Sequence, residues 1–181
     1  FSARGLMGYD AMCLSGFGHL TSFTGTDNIP AIDFAKNYYN SEDELTGASV
    51  DATEHSVMCS WLQDNERECL KQLITNISKK GIVSIVSDTW DLWKLVTEYL
   101  PSLEKEINAR DGKVVIRPDS GDPVKILTGY TDSELEDAKA DGLNIEEHER
   151  KGLIEVLYDL FGGSRNDKGY KQLNPKIGAI Y

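Results

Sequence analysis

Residues 113–123 read Lys-Val-Val-Ile-Arg-Pro-Asp-Ser-Gly-Asp-Pro, and this stretch indicates the fold class. Its β-branched run predicts a buried strand that ends at Arg117-Pro118, followed by a turn that starts at Asp119. In parallel α/β folds the carboxyl ends of the strands face the ligand, so Arg117 and Asp119 are placed where a phosphate and hydroxyl groups would bind. The alternative is a surface turn with a salt bridge.

Two further predicted strands also lead to an aspartate. The first covers residues 19–23 and is followed by Asp27, and the second is the apolar run 82–86, followed by Asp88. Helical patterns at 31–39, 70–77 and 92–100 separate the strands, and this alternation is typical of a parallel sheet or barrel. The sequence leaves open whether Asp27 and Asp88 instead cap the helices that follow them.

The composition is that of a globular protein with a strong acidic balance. The net charge is −11 over 181 residues, which argues against nucleic acid as a partner. An anionic ligand would be repelled by this charge unless local arginines or a divalent cation bind it. No apolar run has the length of a membrane span and no signal peptide opens the chain, so we expect no membrane partner. Because the chain begins with Phe1, we expect a piece of a longer protein.

The three cysteines, Cys13, Cys59 and Cys69, lack the spacing of a metal site and lie in apolar surroundings. Reduced thiols of this kind are typical of a cytoplasmic protein.

One histidine, His55, lies in the segment Ala-Thr-Glu-His-Ser at residues 52–56, among acidic and hydroxyl side chains. Taken alone, it favours a structural role over a catalytic one. Residues 129–150 are rich in acid and poor in large apolar side chains, and we interpret them as an acidic surface excursion without chemistry. A helix is predicted from Asn144 to Gly162.

Six short segments, taken together and in order, make the chain resemble the central part of the nicotinamide phosphoribosyltransferase family. The resemblance covers almost the whole chain apart from the acidic excursion. The segments are residues 1–5, 23–27, 52–56, 86–88, 116–121 and 168–171. The resemblance implies an α/β fold, an incomplete parallel (β/α) barrel of the type II phosphoribosyltransferase kind. Residues 1–181 would be the central part of that barrel domain, with the N-terminal and C-terminal parts of the enzyme absent.

The activity implied by the resemblance is transfer of a phosphoribosyl group from phosphoribosyl pyrophosphate to nicotinamide, which gives nicotinamide mononucleotide and pyrophosphate in NAD salvage. Mg²⁺ would assist, and ATP would couple to the reaction by transient phosphorylation of His55. The full-length protein would be a homodimer whose partner subunit supplies a second ring-stacking aromatic side chain. This chain alone is therefore expected to be inactive.

The family resemblance also assigns residues to the nicotinamide pocket. Phe1 would stack on the ring, and Asp27 would accept a hydrogen bond from the amide nitrogen. Ser84 would lie in the same pocket, and Arg4 would lie against ring and phosphate.

The phosphoribosyl side of the site is assigned by the same resemblance. Arg117 would lie between the ring and the phosphoribosyl group, and Asp119 would bind ribose hydroxyls. Asp88 would lie on the side of magnesium and pyrophosphate. His55, read alone as structural, becomes a catalytic residue in this interpretation.

Two other functions are compatible with the sequence. A nicotinate phosphoribosyltransferase takes the acid in place of the amide, but the Asp27 carboxylate would repel nicotinate. A noncatalytic phosphosugar-binding domain on the same scaffold is the second alternative, because a fold does not determine a function.

Overall fold

The computed structural model describes residues 3–39 and 46–181. The chain divides into two compact units, Phe1–Val50 and Asp51–Tyr181. Phe1, predicted to stack on the nicotinamide ring, lies outside the described residues.

The first unit contains a 3₁₀ turn at Ala3–Gly5 and two α-helices, α1 at Tyr9–Leu20 and α2 at Ile29–Tyr39. The amide of Ala31 donates to the Asn28 side chain at 3.2 Å, so Asn28 caps α2. The two helices approach closely at Gly16, where an added Cβ would lie 2.6 Å from the Cβ of Ala31.

The strand predicted at residues 19–23 is wrong. Helix α1 continues through Leu20, and the region beyond it is held by the side chain of His19. Its Nε2 is 3.0 Å from the carbonyl oxygen of Gly25, and its ring stacks on Phe23 with the centroids 4.9 Å apart. A single parallel bridge joins Gly25 to Ala48. Asp27 therefore lies in the connection between α1 and α2. The local pattern resembles a strand, but α1 continues to Leu20 and packs closely on α2 at Gly16.

The second unit is built on a parallel sheet of four strands in the order β1-β2-β3-β6. The strands β2 and β3 pair along seven residues, from Lys80 opposite Asp111 to Val86 opposite Arg117. Both strands were predicted from their β-branched runs and are confirmed. In the described part of the chain the sheet is open and does not close into a barrel. The sheet strands are β1 Asp51–Ala52, β2 Lys80–Val86, β3 Asp111–Arg117 and β6 Ile177–Ala179.

Helices cover the connections between these strands. Short π-helical turns, Leu73–Ile77 and Leu95–Tyr99, extend two of them. Apolar side chains from helices and strands form one core, in which Ile85, Val114 and Leu157 are fully buried. The helices are α3 His55–Trp61, α4 Glu66–Gln72, α5 Leu92–Lys94, α6 Glu104–Ala109, α7 Pro123–Thr128, α8 Asp132–Ala140, α9 Glu147–Lys151 and α10 Leu153–Phe161. A separate antiparallel hairpin is formed by β4 Gly163–Arg165 and β5 Lys171–Leu173.

The helix predicted from Asn144 to Gly162 is interrupted. Gly152, at φ 78°, separates α9 from α10. A positive φ ends a helix, and glycine adopts it readily. The backbone of Gly152 also lies so close to that of Gly129 that an added Cβ would be 2.3 Å from the Gly129 nitrogen. Asn144 does not cap a helix, since its side chain donates to Glu146, and at the start of α9 the Glu146 amide donates to the Glu149 carboxylate. The acidic residues 129–150 therefore carry two helices, α8 and α9.

A buried arginine ties the amino ends of β2 and β3 together. Arg110 is 4% exposed, and its guanidinium donates to the carbonyl oxygens of Ile74, Ser78, Lys80 and Gly81. These carbonyls belong to the π-helical turn Leu73–Ile77 with its C-cap Ser78, and to the start of β2. Arg110 therefore anchors the end of the sheet that lies opposite the predicted ligand edge.

Two glycines of α1 give a matched test of the packing in the first unit. We expect Gly16→Ala to lower the free energy of unfolding by about 1–3 kcal/mol, because its methyl group would clash with Asn28 and Ala31. Gly18→Ala should be neutral or stabilising by up to about 1 kcal/mol, since nothing lies within 4 Å of its added Cβ. Urea denaturation monitored by circular dichroism measures both variants. Equal effects of the two substitutions would contradict the close helix approach.

Candidate functional site

The predicted ligand edge of the sheet is centred on the carboxylate of Asp88. This residue follows β2, and the Asp119 turn follows β3, its neighbour in the sheet. The Asp88 Oδ2 accepts hydrogen bonds from the backbone amide of Asp119 at 2.9 Å and from the Ser120 hydroxyl at 2.5 Å. One carboxylate thus joins the two loops that leave the sheet side by side.

His55 lies on the other side of the same carboxylate. It is the first residue of α3, and its Nε2 is 3.3 Å from Asp88 Oδ1. The alignment is not that of a hydrogen bond, so Oδ1 has no hydrogen-bond donor among the described residues. The His55 side chain is 43% exposed and that of Asp88 only 9%. The sequence left the carboxylate partner of His55 open, and the structure pairs it with Asp88 rather than with its neighbour Glu54.

The guanidinium of Arg117 contacts the segment that precedes His55. Its Nη2 donates to the Thr53 carbonyl oxygen at 3.1 Å and lies 3.3 Å from the Glu54 carboxylate. Its Nε is buried and has no acceptor among the described residues. Arg117 is therefore positioned by the backbone and retains donor capacity toward a ligand.

Thr53 fixes this segment to β2. Its amide donates to the Ser84 carbonyl, and its hydroxyl accepts a hydrogen bond from the amide of Val86, both at 2.9 Å. Thr53 is 4% exposed, so these bonds are shielded from water. Ser84 itself is 6% exposed and lies within β2, between Ala52 of β1 and Val115 of β3.

The environment of Asp88 lowers the pKa of its carboxyl group. Burial acts in the opposite direction, but the hydrogen bonds from Ser120 and the Asp119 amide and the nearby His55 outweigh it. The group is ionised near neutral pH. Its bonds stabilise the fold above the unfolded pKa of about 3.9, and this contribution is lost as the pH falls through the lower folded value.

Two residues predicted for the nicotinamide pocket, Asp27 and Arg4, lie in the first unit. Asp27 accepts a hydrogen bond from the Ser49 hydroxyl. Arg4 is exposed in the 3₁₀ turn Ala3–Gly5. The sequence left open whether Asp27 and Asp88 cap the helices that follow them. Asn28 caps α2 and Asp91 caps α5 instead.

Sequence reasoning missed several residues that the structure places in contact with predicted ones. Ser120 binds Asp88, Thr53 and Glu54 bind Arg117, and Ser49 binds Asp27. Ser120 is next to Asp119 in the sequence, and its hydroxyl can donate, but the sequence does not show that its acceptor is Asp88.

A ready-made metal cluster and a membrane-spanning helix are both absent from the residues that the structure describes. No three or more His, Cys, Asp or Glu side chains in residues 3–39 and 46–181 are arranged to hold a metal ion by themselves. Within the same ranges, no helix combines the length and apolarity that crossing a membrane requires.

The fold and the cluster at its edge define an α/β protein with ionisable side chains gathered at the carboxyl ends of parallel strands. The whole chain, residues 1–181, matches the model of the nicotinate phosphoribosyltransferase (NAPRTase) family. The chain belongs to this family.

Curated relatives agree with this assignment. A nicotinamide phosphoribosyltransferase of Acinetobacter baylyi is 47% identical over 188 aligned residues, which cover 100% of this chain and 35% of that protein. Proteins of the same name from Xanthomonas campestris and Mycoplasma pneumoniae are 33% and 32% identical, over 96% and 100% of this chain and 32% and 35% of their own lengths. The chain thus spans about a third of the length of these relatives.

The bond from Ser120 to Asp88 gives a pH-dependent prediction. We expect Ser120→Ala to raise the pKa of Asp88, because a hydrogen bond to the charged form is lost. It should also lower the free energy of unfolding by about 1 kcal/mol at neutral pH. This loss should disappear as the pH falls through the folded pKa of Asp88, where the wild-type carboxylate also becomes neutral.

Denaturation curves at several pH values, with an NMR titration of the carboxyl carbon, measure both effects. The control is Ser60→Ala, whose hydroxyl donates only to the Val57 carbonyl at 2.7 Å within α3. A stability difference between wild type and Ser120→Ala that stays constant through the acid range would contradict the assignment.

Proposed function

We propose that the protein carrying this chain is a nicotinamide phosphoribosyltransferase, which makes nicotinamide mononucleotide and pyrophosphate from nicotinamide and phosphoribosyl pyrophosphate. The observation that carries this proposal is the cluster of Asp88, His55 and the Asp119 turn at the ligand edge of the sheet. The shared name of the Acinetobacter, Xanthomonas and Mycoplasma relatives supports the choice of reaction.

The reaction breaks the bond between the anomeric carbon of the ribose and pyrophosphate, so positive charge develops on the sugar. Catalysis then depends on groups that bind more strongly in the transition state than in the ground state. Arg117 would bind the phosphoribosyl group through the exposed part of its guanidinium, and the Asp119 carboxylate would accept hydrogen bonds from ribose hydroxyls. Thr53 would keep Arg117 in position through its carbonyl oxygen.

Mg²⁺ fits the donors at this edge. Asp88 and Asp119 supply two carboxylates at this edge, and the Glu54 carboxylate already pairs with Arg117, so a pyrophosphate would meet negative charge without a cation. In the described part of the chain, Asp88 Oδ1 also lacks a hydrogen-bond donor. Mg²⁺ is usually bound by one or two carboxylates with substrate phosphates and waters, and Asp88 would be such a ligand. When bound, the ion would neutralise the leaving pyrophosphate.

We propose further that ATP phosphorylates His55. The ring is exposed enough to meet a nucleotide, and Asp88 lies against Nε2, which would orient the imidazole. With a proton on Nε2, the nitrogen beside Asp88, Nδ1 keeps the lone pair that would attack the γ-phosphorus of ATP. The bond from that phosphorus to the bridging oxygen would break, and ADP would leave. Phosphorylation would couple ATP hydrolysis to the yield of the transfer.

The remaining expectations concern the whole protein. We propose that it works in the cytoplasm as a homodimer, and that this chain alone does not turn over. Cys13, Cys59 and Cys69 are free thiols, as expected for a reducing compartment.

The role of His55 is tested by alanine substitution in a full-length enzyme carrying this chain. We expect His55→Ala to abolish stimulation by ATP and to leave basal phosphoribosyl transfer, because only the phosphorylated group is removed. His148→Ala is the control, since the His148 ring packs against Trp93 at a centroid distance of 4.9 Å, whereas His55 lies against Asp88. Rates with and without ATP, and retention of radioactive phosphate on the protein, measure the effect. Undiminished ATP stimulation of His55→Ala would rule the role out.

Asp27 tests the choice between the amide and the acid. We expect Asp27→Asn to lower kcat/KM for nicotinamide about 10- to 100-fold, since a hydrogen bond to a charged acceptor is lost, and to reduce discrimination against nicotinate. The control is Asp33→Asn, which removes an exposed carboxylate from α2. Steady-state rates with both substrates decide the question. Equal or better turnover of nicotinate by the unsubstituted enzyme would favour the nicotinate alternative, and absence of any turnover would favour a noncatalytic domain.

A further inference from the structure

Arg117 is held by two acceptors that differ in how firmly they are themselves held. The Thr53 carbonyl belongs to a residue that is 4% exposed and bonded to β2 through its amide and its hydroxyl. The Glu54 carboxylate, in contrast, is 67% exposed. One acceptor therefore fixes the guanidinium, and the other reaches it from solvent.

The contact with Glu54 is weak enough to be replaced. The Glu54 carboxylate is 67% exposed, so water and salt screen its attraction to Arg117, which is itself 21% exposed. A phosphate group accepts paired hydrogen bonds from one guanidinium, and such bonds are stronger than a single exposed contact. The Arg117 side chain is 21% exposed, so a phosphate can approach its guanidinium from the solvent side on which Glu54 lies.

We propose that Glu54 is a built-in competitor of the substrate phosphate at Arg117. Its carboxylate pairs with the guanidinium in the ligand-free protein and leaves when a phosphate arrives, while the Thr53 carbonyl keeps Arg117 in place. This role rests on the proposed function, because it needs a phosphorylated sugar at Arg117.

The competition would make the site selective for phosphorylated sugars over neutral ones. A phosphate dianion replaces the Glu54 carboxylate, whereas a neutral ribose or riboside offers no comparable acceptor to Arg117. Glu54 would thus be a specificity-determining residue, because a ligand must bind Arg117 more strongly than Glu54 does in order to replace it. It acts through Arg117 and takes no part in bond breaking.

The test measures binding of phosphoribosyl pyrophosphate, and of inorganic phosphate as a minimal probe, by titration calorimetry on a full-length enzyme carrying this chain. We expect Glu54→Gln to tighten binding of both about three- to fivefold, since up to about 1 kcal/mol of competition is removed. The KM for phosphoribosyl pyrophosphate should fall by a similar factor with kcat unchanged. The gain should shrink at high salt, where the exposed ion pair is screened.

Two further variants separate this contact from general electrostatics and from misfolding. Glu104→Gln removes one exposed charge from α6, near the amino end of β3, and should change binding by less than about twofold. Glu54→Asp keeps the charge on a shorter side chain that reaches Arg117 less well, and should fall between wild type and Glu54→Gln.

The outcomes distinguish this role from the proposed function. Unchanged or weaker binding in Glu54→Gln, with normal binding by the wild type, overturns the competitor role alone. An equal gain in Glu104→Gln also overturns it. If the wild type does not bind phosphoribosyl pyrophosphate, both the competitor role and the proposed function are wrong.

Discussion

The parallel pairing of β2 with β3 is the constraint on which the site depends. Seven residue pairs run in register and end with Val86 opposite Arg117. Asp88 and Asp119 each follow two residues later, so they leave the sheet at the same level. Because of this register, the Asp119 amide reaches the Asp88 carboxylate. A shift of one residue would turn every side chain of one strand to the other face and would separate the pair.

Much of this arrangement could be predicted from the sequence, because it follows from local patterns. The runs of β-branched residues predicted β2 and β3, and the rule that parallel strands expose their carboxyl ends to ligands placed Asp88, Arg117 and Asp119 at one edge. The contacts that orient these side chains were not predictable in this way. Thr53 binds Arg117 through a backbone carbonyl from 64 positions away, and a carbonyl oxygen carries no sequence signal.

The wrong predictions have a related cause. Residues 19–23 resemble a strand locally, but α1 extends into them since Gly16 lets the two helices of the first unit pack closely. The division at Gly152 follows from a close backbone approach to Gly129, a residue 23 positions earlier. In both places a glycine marked a tertiary contact, and the local pattern alone did not show which contact it was.

Arg110 has a consequence for the dynamics of the second unit. It ties the chain just before β3 to the start of β2, while Asp88 joins the loops at the opposite end of the same strands. Because β2 and β3 are tied together at both ends, we expect the pair and the connection between them to unfold locally as one cooperative unit. The backbone amides of the two strands should then exchange their hydrogens with water slowly and together. The side chains of Glu54 and His55 are far more exposed than the sheet. These two side chains can therefore change rotamer while the backbone at Thr53 stays bonded to β2 and the sheet beneath it stays closed.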